Sequence, residues 1–231
     1  MSLVDAVIAT GPLLPGLSQQ QKKRYSELLS KNLAYEVAEG LRTVGFSTIK
    51  PVRGGPGEKA FQGGLGPKKV DVAYSDERHG LQLAVSIKSI NSPPYGKNLK
   101  NRFADLCTEA ITLHLRFPYA VVCALFAFPL GADQDLTEGR EQSTFARANK
   151  LFATISGRRE YSNSAEKFEN LTTMLFQPYD PNGSDPWVCL YNSETYEKMS
   201  EEAYFAMIKS IYNARNPHAP IGEENMAGDE E

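Results

Sequence analysis

Between residues 18 and 44 an apolar residue recurs every four positions, at Leu29, Leu33, Val37 and Leu41. That spacing predicts an amphipathic helix over SQQQKKRYSELLSKNLAYEVAEGLRTV, with Ser18 at its N-cap and Gly45 at its C-terminal cap. The period then changes. FSTIKPV reads as a short strand. In KKVDVAYS and LQLAVSIKSI apolar and polar residues alternate around the turn DERHG, so a β-hairpin is expected over about 69–90. YAVVCALFAF is apolar on both faces, the signature of a buried strand. The stretch before it, NRFADLCTEAITLHLRF, returns to helical spacing with Leu106, Ala110 and Leu113 on one face, and its helix is expected from 98 or 101 to 116. Farther on, helices are expected at 143–156, at 163–175 (NSAEKFENLTTML) and at 200–214, with WVCLY as a short strand.

These elements describe an α/β sandwich around a mixed sheet. Residues 1–17 read as a flexible lead-in rich in Gly and Pro, 18–130 as the core, 131–220 as an α-rich extension packed on it, and 221–231 as a disordered acidic tail. RGGPGEKAFQGGLGPKK is expected to lack regular structure. The 231 residues, 41% hydrophobic, suffice for one medium domain. The longest apolar run, Tyr119 to Leu130, is too short to span a bilayer, so no membrane association is expected. The first residues lack a basic region and a small-residue cleavage site, so no secretory signal is expected. Cys107, Cys123 and Cys189 form neither a disulfide framework nor a zinc pattern, and a reducing cytoplasm suits them.

Charge sharpens this outline. The net charge is −3, yet residues 50–102 hold ten Lys/Arg against four Asp/Glu. The positive charge is therefore concentrated around the hairpin, as a phosphate-rich ligand requires. Within the hairpin, Val85 and Ile87 point one way while Ser86 and Lys88 point the other, and Asp71 alternates with Val70 and Val72. A carboxylate and an amine on adjacent strands are costly to bury unless they pair or do chemistry. A structural ion pair satisfies that demand. So does a phosphoryl-transfer site in which the carboxylate holds a cation and the lysine stabilises developing charge. His79, His114 and His218 lack the spacing of a zinc site, no GxSxG elbow is present, and the glycine-rich loop has no GxxxxGK[ST].

The helix carrying YEVAEGLRTVGF, the strands KVDV and AVSIKS, the helix NRFADLCTEAITLHLRF and the strand YAVVCALFAF together resemble the PD-(D/E)xK nuclease superfamily, the restriction-endonuclease-like fold of many restriction and phage-defence enzymes. The likeness covers about residues 20–130. It implies a catalytic set of Asp71, Lys88 and Glu36, with Ser86 where the family carries Asp or Glu. In relatives with Ser at that place the carboxylate comes from the following helix. Here Asp105 and Glu109 share a helical face with Asn101 and are the candidates, Glu109 having the longer reach. The implied cofactor is Mg²⁺, with Mn²⁺ as a substitute, held by Asp71, Glu109 or Asp105, and the backbone carbonyl of Ile87. Arg53, Lys59, Lys68 and Lys69 around the glycine-rich loop, and Lys97, Lys100 and Arg102 beyond the hairpin, are expected to contact DNA phosphates. The implied activity is endonucleolytic hydrolysis of DNA in restriction or anti-phage defence, by a homodimer or with a partner subunit. The alternative is a catalytically degenerate module that binds nucleic acid or scaffolds a defence complex, a reading that Ser86 keeps alive. An RNA-cleaving relative is the third.

Overall fold

The computed structural model describes residues 2–136 and 139–222. A six-stranded mixed sheet, in the order β3-β4-β5-β6-β7-β8, forms its centre. The strands are β3 (Val72–Asp76), β4 (Gly80–Ser89), β5 (Val121–Pro129), β6 (Asn170–Phe176), β7 (Val188–Asn192) and β8 (Lys198–Met199). A separate antiparallel hairpin pairs β1 (Lys59–Gly63) with β2 (Gly66–Val70). The helices are α1 (Leu3–Thr10), α2 (Gln19–Thr43), α3 (Tyr95–His114), α4 (Thr144–Ala153) and α5 (Glu201–Arg215). No helix among the described residues is long and apolar enough to cross a membrane.

The alternation of β5 explains the layers. Val121, Cys123, Leu125 and Ala127 face a core shared with α1, α2 and α5. Val122, Ala124, Phe126 and Phe128 face a second core shared with α3 and α4. Both faces of the strand are therefore covered, as its continuous apolar run requires. On β4 the same alternation turns Leu83, Val85 and Ile87 toward the first core. Ser86 and Lys88 consequently lie on the face covered by α3. The β4–α3–β5 crossover makes β4 and β5 parallel, with Ser86 beside Ala124 and Lys88 beside Phe126.

Several sequence expectations are corrected. Residues 1–17 are not a loose lead-in throughout: α1 is closed by a reciprocal capping box between Ser2 and Asp5, and it buries Leu3, Ala6 and Val7. FSTIKPV forms a single bridge, Lys50 to Ala73. Pro51 follows directly and has no N–H with which to continue a ladder. The glycine-rich loop is ordered from Lys59 onward as the β1–β2 hairpin. The helix expected at 163–175 is instead β6, which runs parallel to β5. Its residues are buried on both faces, and β-branched Thr172 and Thr173 suit a strand better than a helix. The segment after 130 is thus not an α-rich extension, for it supplies half of the central sheet. From residue 223 on, the expected acidic tail lies outside the described residues.

Candidate active site

Asp71 occupies the one-residue junction between β2 and β3, just past the Val72–Val85 pair that ends the β3–β4 ladder. Its Oδ2 accepts the Ile87 N–H at 2.7 Å, so the side chain takes the place that a strand carbonyl would fill. N–H and C=O of one strand residue leave the same edge. The Ile87 carbonyl therefore emerges beside Asp71, where β3 has already ended.

Lys88 Nζ lies 3.8 Å from Asp71 Oδ2 and 2.9 Å from Glu109 Oε2. It also donates to Ser86 Oγ at 3.1 Å. The Ser86 hydroxyl in turn donates to Glu109 Oε1 at 2.5 Å. Lys68, from β2, reaches the same Glu109 Oε2 at 2.9 Å. Glu109 is only 1% exposed. Of the two carboxylates on α3, it is therefore Glu109 that enters the site. Asp105, one turn earlier, is half-exposed at the rim, where it pairs with Arg102 at 3.0 Å.

The electrostatics follow from burial and from this charge order. Burial pushes the Asp71 carboxyl up to about 6; Lys88 and the Ile87 N–H oppose the rise, while Glu109 and Glu58 add to it. Burial acts on Glu109 in the same sense, but Lys88, Lys68 and the Ser86 hydroxyl outweigh it and hold Glu109 below the usual carboxylate range. Lys88 is likewise pressed down by burial, and the attraction of Glu109 and Asp71 leaves it above its ordinary value. At neutral pH the site thus holds an ammonium between two carboxylates, one strongly neutralised and one poorly so.

Two open clefts meet at Lys88 and Arg102. One, of about 470 Å³, runs along Lys68, Asp105, Glu109 and Thr112. The other, of about 500 Å³, runs along α2 past Lys22, Lys23, Ser26 and Lys31, and includes Glu27 and Glu58. The end of β4 is tied to α2 by Asn91, whose Nδ2 donates to Ser26 Oγ at 2.9 Å and Ser89 Oγ at 2.7 Å.

The remaining sequence-derived candidates fall in different places. Glu36 is not brought to Asp71. It pairs with Arg53 and lines a separate cavity with Glu201 and Glu202. The α2 residues that line the clefts are Gln19, Lys22, Lys23, Ser26, Glu27, Ser30 and Lys31. Glu36 is nine residues beyond Glu27, about two and a half turns, and so projects from the opposite face. Arg53 is committed to Glu36 and to the Tyr35 ring, 5.2 Å away. Lys59 donates to Ser75 Oγ at 2.6 Å on the hairpin. Lys69 is exposed on β2. Lys97 and Lys100 line a groove with α4. Sequence reasoning missed Glu58 and the basic face of α2. Glu58 directly precedes β1, inside a stretch expected to be irregular, so only the hairpin's folding brings it toward Asp71.

The donor atoms gathered at Lys88 suit a hard divalent cation. Among the described residues no group of three His, Cys, Asp or Glu could hold an ion by themselves. Mg²⁺, however, is commonly held by one or two carboxylates with water and substrate phosphate completing the shell. Asp71, Glu109, Ser86 Oγ and the Ile87 carbonyl are all oxygen donors, and the Asp71 charge is only partly compensated. The residues fit such an ion, with Lys68 as a competitor for Glu109. No family model matches the chain, and comparison with curated proteins and with solved structures returns no match.

Proposed function

We propose that this chain is a metal-dependent nuclease of the PD-(D/E)xK type that hydrolyses DNA phosphodiester bonds. The observation that carries the reading is Glu109: a buried carboxylate from α3, bonded to Ser86 and paired with Lys88. On this reading it serves as the missing motif acid. Asp71, Glu109, Ser86 and the Ile87 carbonyl would hold Mg²⁺ or Mn²⁺, which when bound polarises the phosphate and lowers the pKa of a coordinated water. Lys88 has a different task. Its ammonium, fixed by Glu109 and Ser86, orients the attacking water and offsets charge developing on the phosphate. The clefts on either side of Lys88 and Arg102 supply a path for the strand, with lysines from α2 on one side and Lys68 on the other. Cleavage of both strands of a duplex calls for a second copy or a partner subunit. Restriction or anti-phage defence in the cytoplasm is the setting this reading favours.

Purified protein incubated with plasmid DNA in Mg²⁺ or Mn²⁺ is expected to nick or linearise it, and EDTA or Lys88→Ala is expected to abolish the cleavage. Cleavage that survives both would sink the proposal. Parallel incubation with RNA of the same length separates the two substrates.

One observation favours the degenerate alternative. Glu109 already has two lysines on it, and a protein that only binds nucleic acid needs no more than that neutralised arrangement. Calorimetric titration with Mn²⁺ discriminates the readings: the enzyme binds the ion and loses it in Asp71→Ala, whereas a scaffold is indifferent to the change.

A further inference from the structure

Four cations stand around one groove on the far side of α3. Lys97 and Lys100 come from α3, Arg147 and Lys150 from α4, and the groove between them is about 770 Å³. Among the described residues no acidic one lines it. Among the described residues none of the four makes an ion pair. Half-buried Phe103 and Leu151 lie on the groove wall, attached to the second core. In a chain of net charge −3, with acidic residues outnumbering basic ones, such a patch is not an average piece of surface. Four like charges gathered around one groove repel one another. Among the described residues no carboxylate pairs with any of them.

The groove is not part of the clefts at Lys88. At about 100° per residue, Lys100 leaves α3 opposite Glu109, and the Lys97–Lys100 pair lies on average about 130° around the helix from Asp105 and Glu109. The helix separates the two surfaces, and α4 contributes only to the second. An open cationic groove with apolar walls matches a polyanion of regular spacing rather than a compact metabolite.

We propose that the α3–α4 groove is a second nucleic-acid-binding surface, which grips the phosphodiester backbone of duplex DNA away from the phosphate being cut. The proposal rests on the reading of the protein as a DNA-acting nuclease, and it names four residues of which two, Arg147 and Lys150, lie far along the chain from the hairpin. Each phosphate neutralised releases condensed counterions, so the contribution of this surface has its own signature in the salt dependence of binding.

The test is fluorescence anisotropy of a labelled 30-base-pair duplex at several salt concentrations, in EDTA so that no cleavage occurs. It compares the full chain with Lys97→Ala, Lys100→Ala, Arg147→Ala and Lys150→Ala combined. All four side chains are exposed, and circular dichroism with a thermal melt checks that the fold is kept. The expected result is a slope of log K against log salt that becomes shallower by roughly 3 to 4, since each lost phosphate contact removes about 0.9. A slope within one unit of the unmodified chain overturns the proposal, as does absence of DNA binding by the unmodified chain. Plasmid cleavage in Mg²⁺ is scored separately. A chain that binds with the expected change in slope but never cuts keeps the second surface and removes the nuclease.

Discussion

Glu109 on α3 and Glu169 just before β6 are both buried among cations, yet the two regions are built differently. Every approach to Glu169 is closed. Its Oε1 meets Arg158 at 2.7 Å and Arg215 at 3.2 Å, and its Oε2 accepts the Val122 N–H at 2.8 Å and faces His114 at 3.3 Å. The Arg158 terminal nitrogens also donate to the carbonyls of Pro118 and Tyr161. Glu169 therefore joins the turn before β5, the start of β6 and the end of α5. Glu109 instead has two lysines and a serine hydroxyl, and its partners line an open cleft. Arginine forks in a closed network fix geometry, whereas lysine point charges beside solvent can be displaced by an ion or a phosphate. Burial and charge alone do not separate a structural carboxylate from a working one. The observed difference between the two is access to solvent.

The largest effect that tests this contrast is on stability. Glu169→Ala leaves Arg158 buried without its counter-charge and should cost about 3–5 kcal/mol of unfolding free energy. Glu109→Ala should cost less than half of that, because Lys88 and Lys68 can relax toward the cleft. Urea denaturation of the two variants measures both. Equal losses would mean that Glu109 is a structural residue like Glu169.

Next comes the rate. Lys88→Met should lower the DNA cleavage rate by roughly 10²–10³-fold, the usual loss when one group stabilising transition-state charge is removed. Binding of DNA in EDTA should change by much less, which a filter-binding assay reads directly. A parallel loss of binding and cleavage would make Lys88 a phosphate anchor instead.

The residues on which these two predictions rest were unequally legible in the sequence. Asp71, Ser86 and Lys88 could be read because strand alternation fixes which side chains share a face. Glu109 followed from helical spacing on α3, although the choice between it and Asp105 needed the packing of α3 against β4. The Glu169 network could not be read, since its members lie at 114, 158, 169 and 215 and meet only through the fold. β6 was misread as a helix because Phe168, Leu171 and Leu175 are spaced three and four apart, a pattern that a strand buried on both faces can also show. The β1–β2 hairpin escaped notice because much of it is exposed, so hydrophobic alternation gave little signal. That omission hid Glu58 and the reason Lys68 reaches the site. Glu36 was placed by its position in a motif, and its helical phase sends it to the opposite face of α2.

Asp71 offers a third, smaller effect. Its folded-state pKa of about 6 lies above an unfolded value of about 3.9, so protonation favours the native state. Stability present below pH ~4 is lost as pH rises through about 6, and above that the ionised carboxylate costs up to roughly 3 kcal/mol. Asp71→Asn should therefore raise unfolding free energy at pH 8 by about 1–3 kcal/mol and flatten its dependence between pH 4 and 7. The same variant should lose Mn²⁺ binding and cleavage, and in the unmodified chain the cleavage rate should climb between pH 5 and 7 as Asp71 ionises. A residue that destabilises the fold and is needed for activity is what a working site permits and a structural ion pair does not. Chemical denaturation at pH 5 and 8 decides the point.

The smallest effect bears most directly on what distinguishes Glu109 from Glu169. Lys68 reaches Glu109 from the β1–β2 hairpin and is about one-third exposed. Removing a partly solvated partner of this kind changes stability by less than about 1 kcal/mol. It also removes a positive charge from the carboxylate oxygen that an incoming cation would use. Repulsion between that charge and a bound ion, at the dielectric of a cleft wall, is worth on the order of 1 kcal/mol. Lys68→Ala should therefore bind Mn²⁺ several-fold more tightly than the unmodified chain in a calorimetric titration. Weaker binding would show that Lys68 holds Glu109 in position for the ion instead of competing with it. Glu109 would then depend on its cations as Glu169 does, and the difference between the two regions would lie only in their access to solvent.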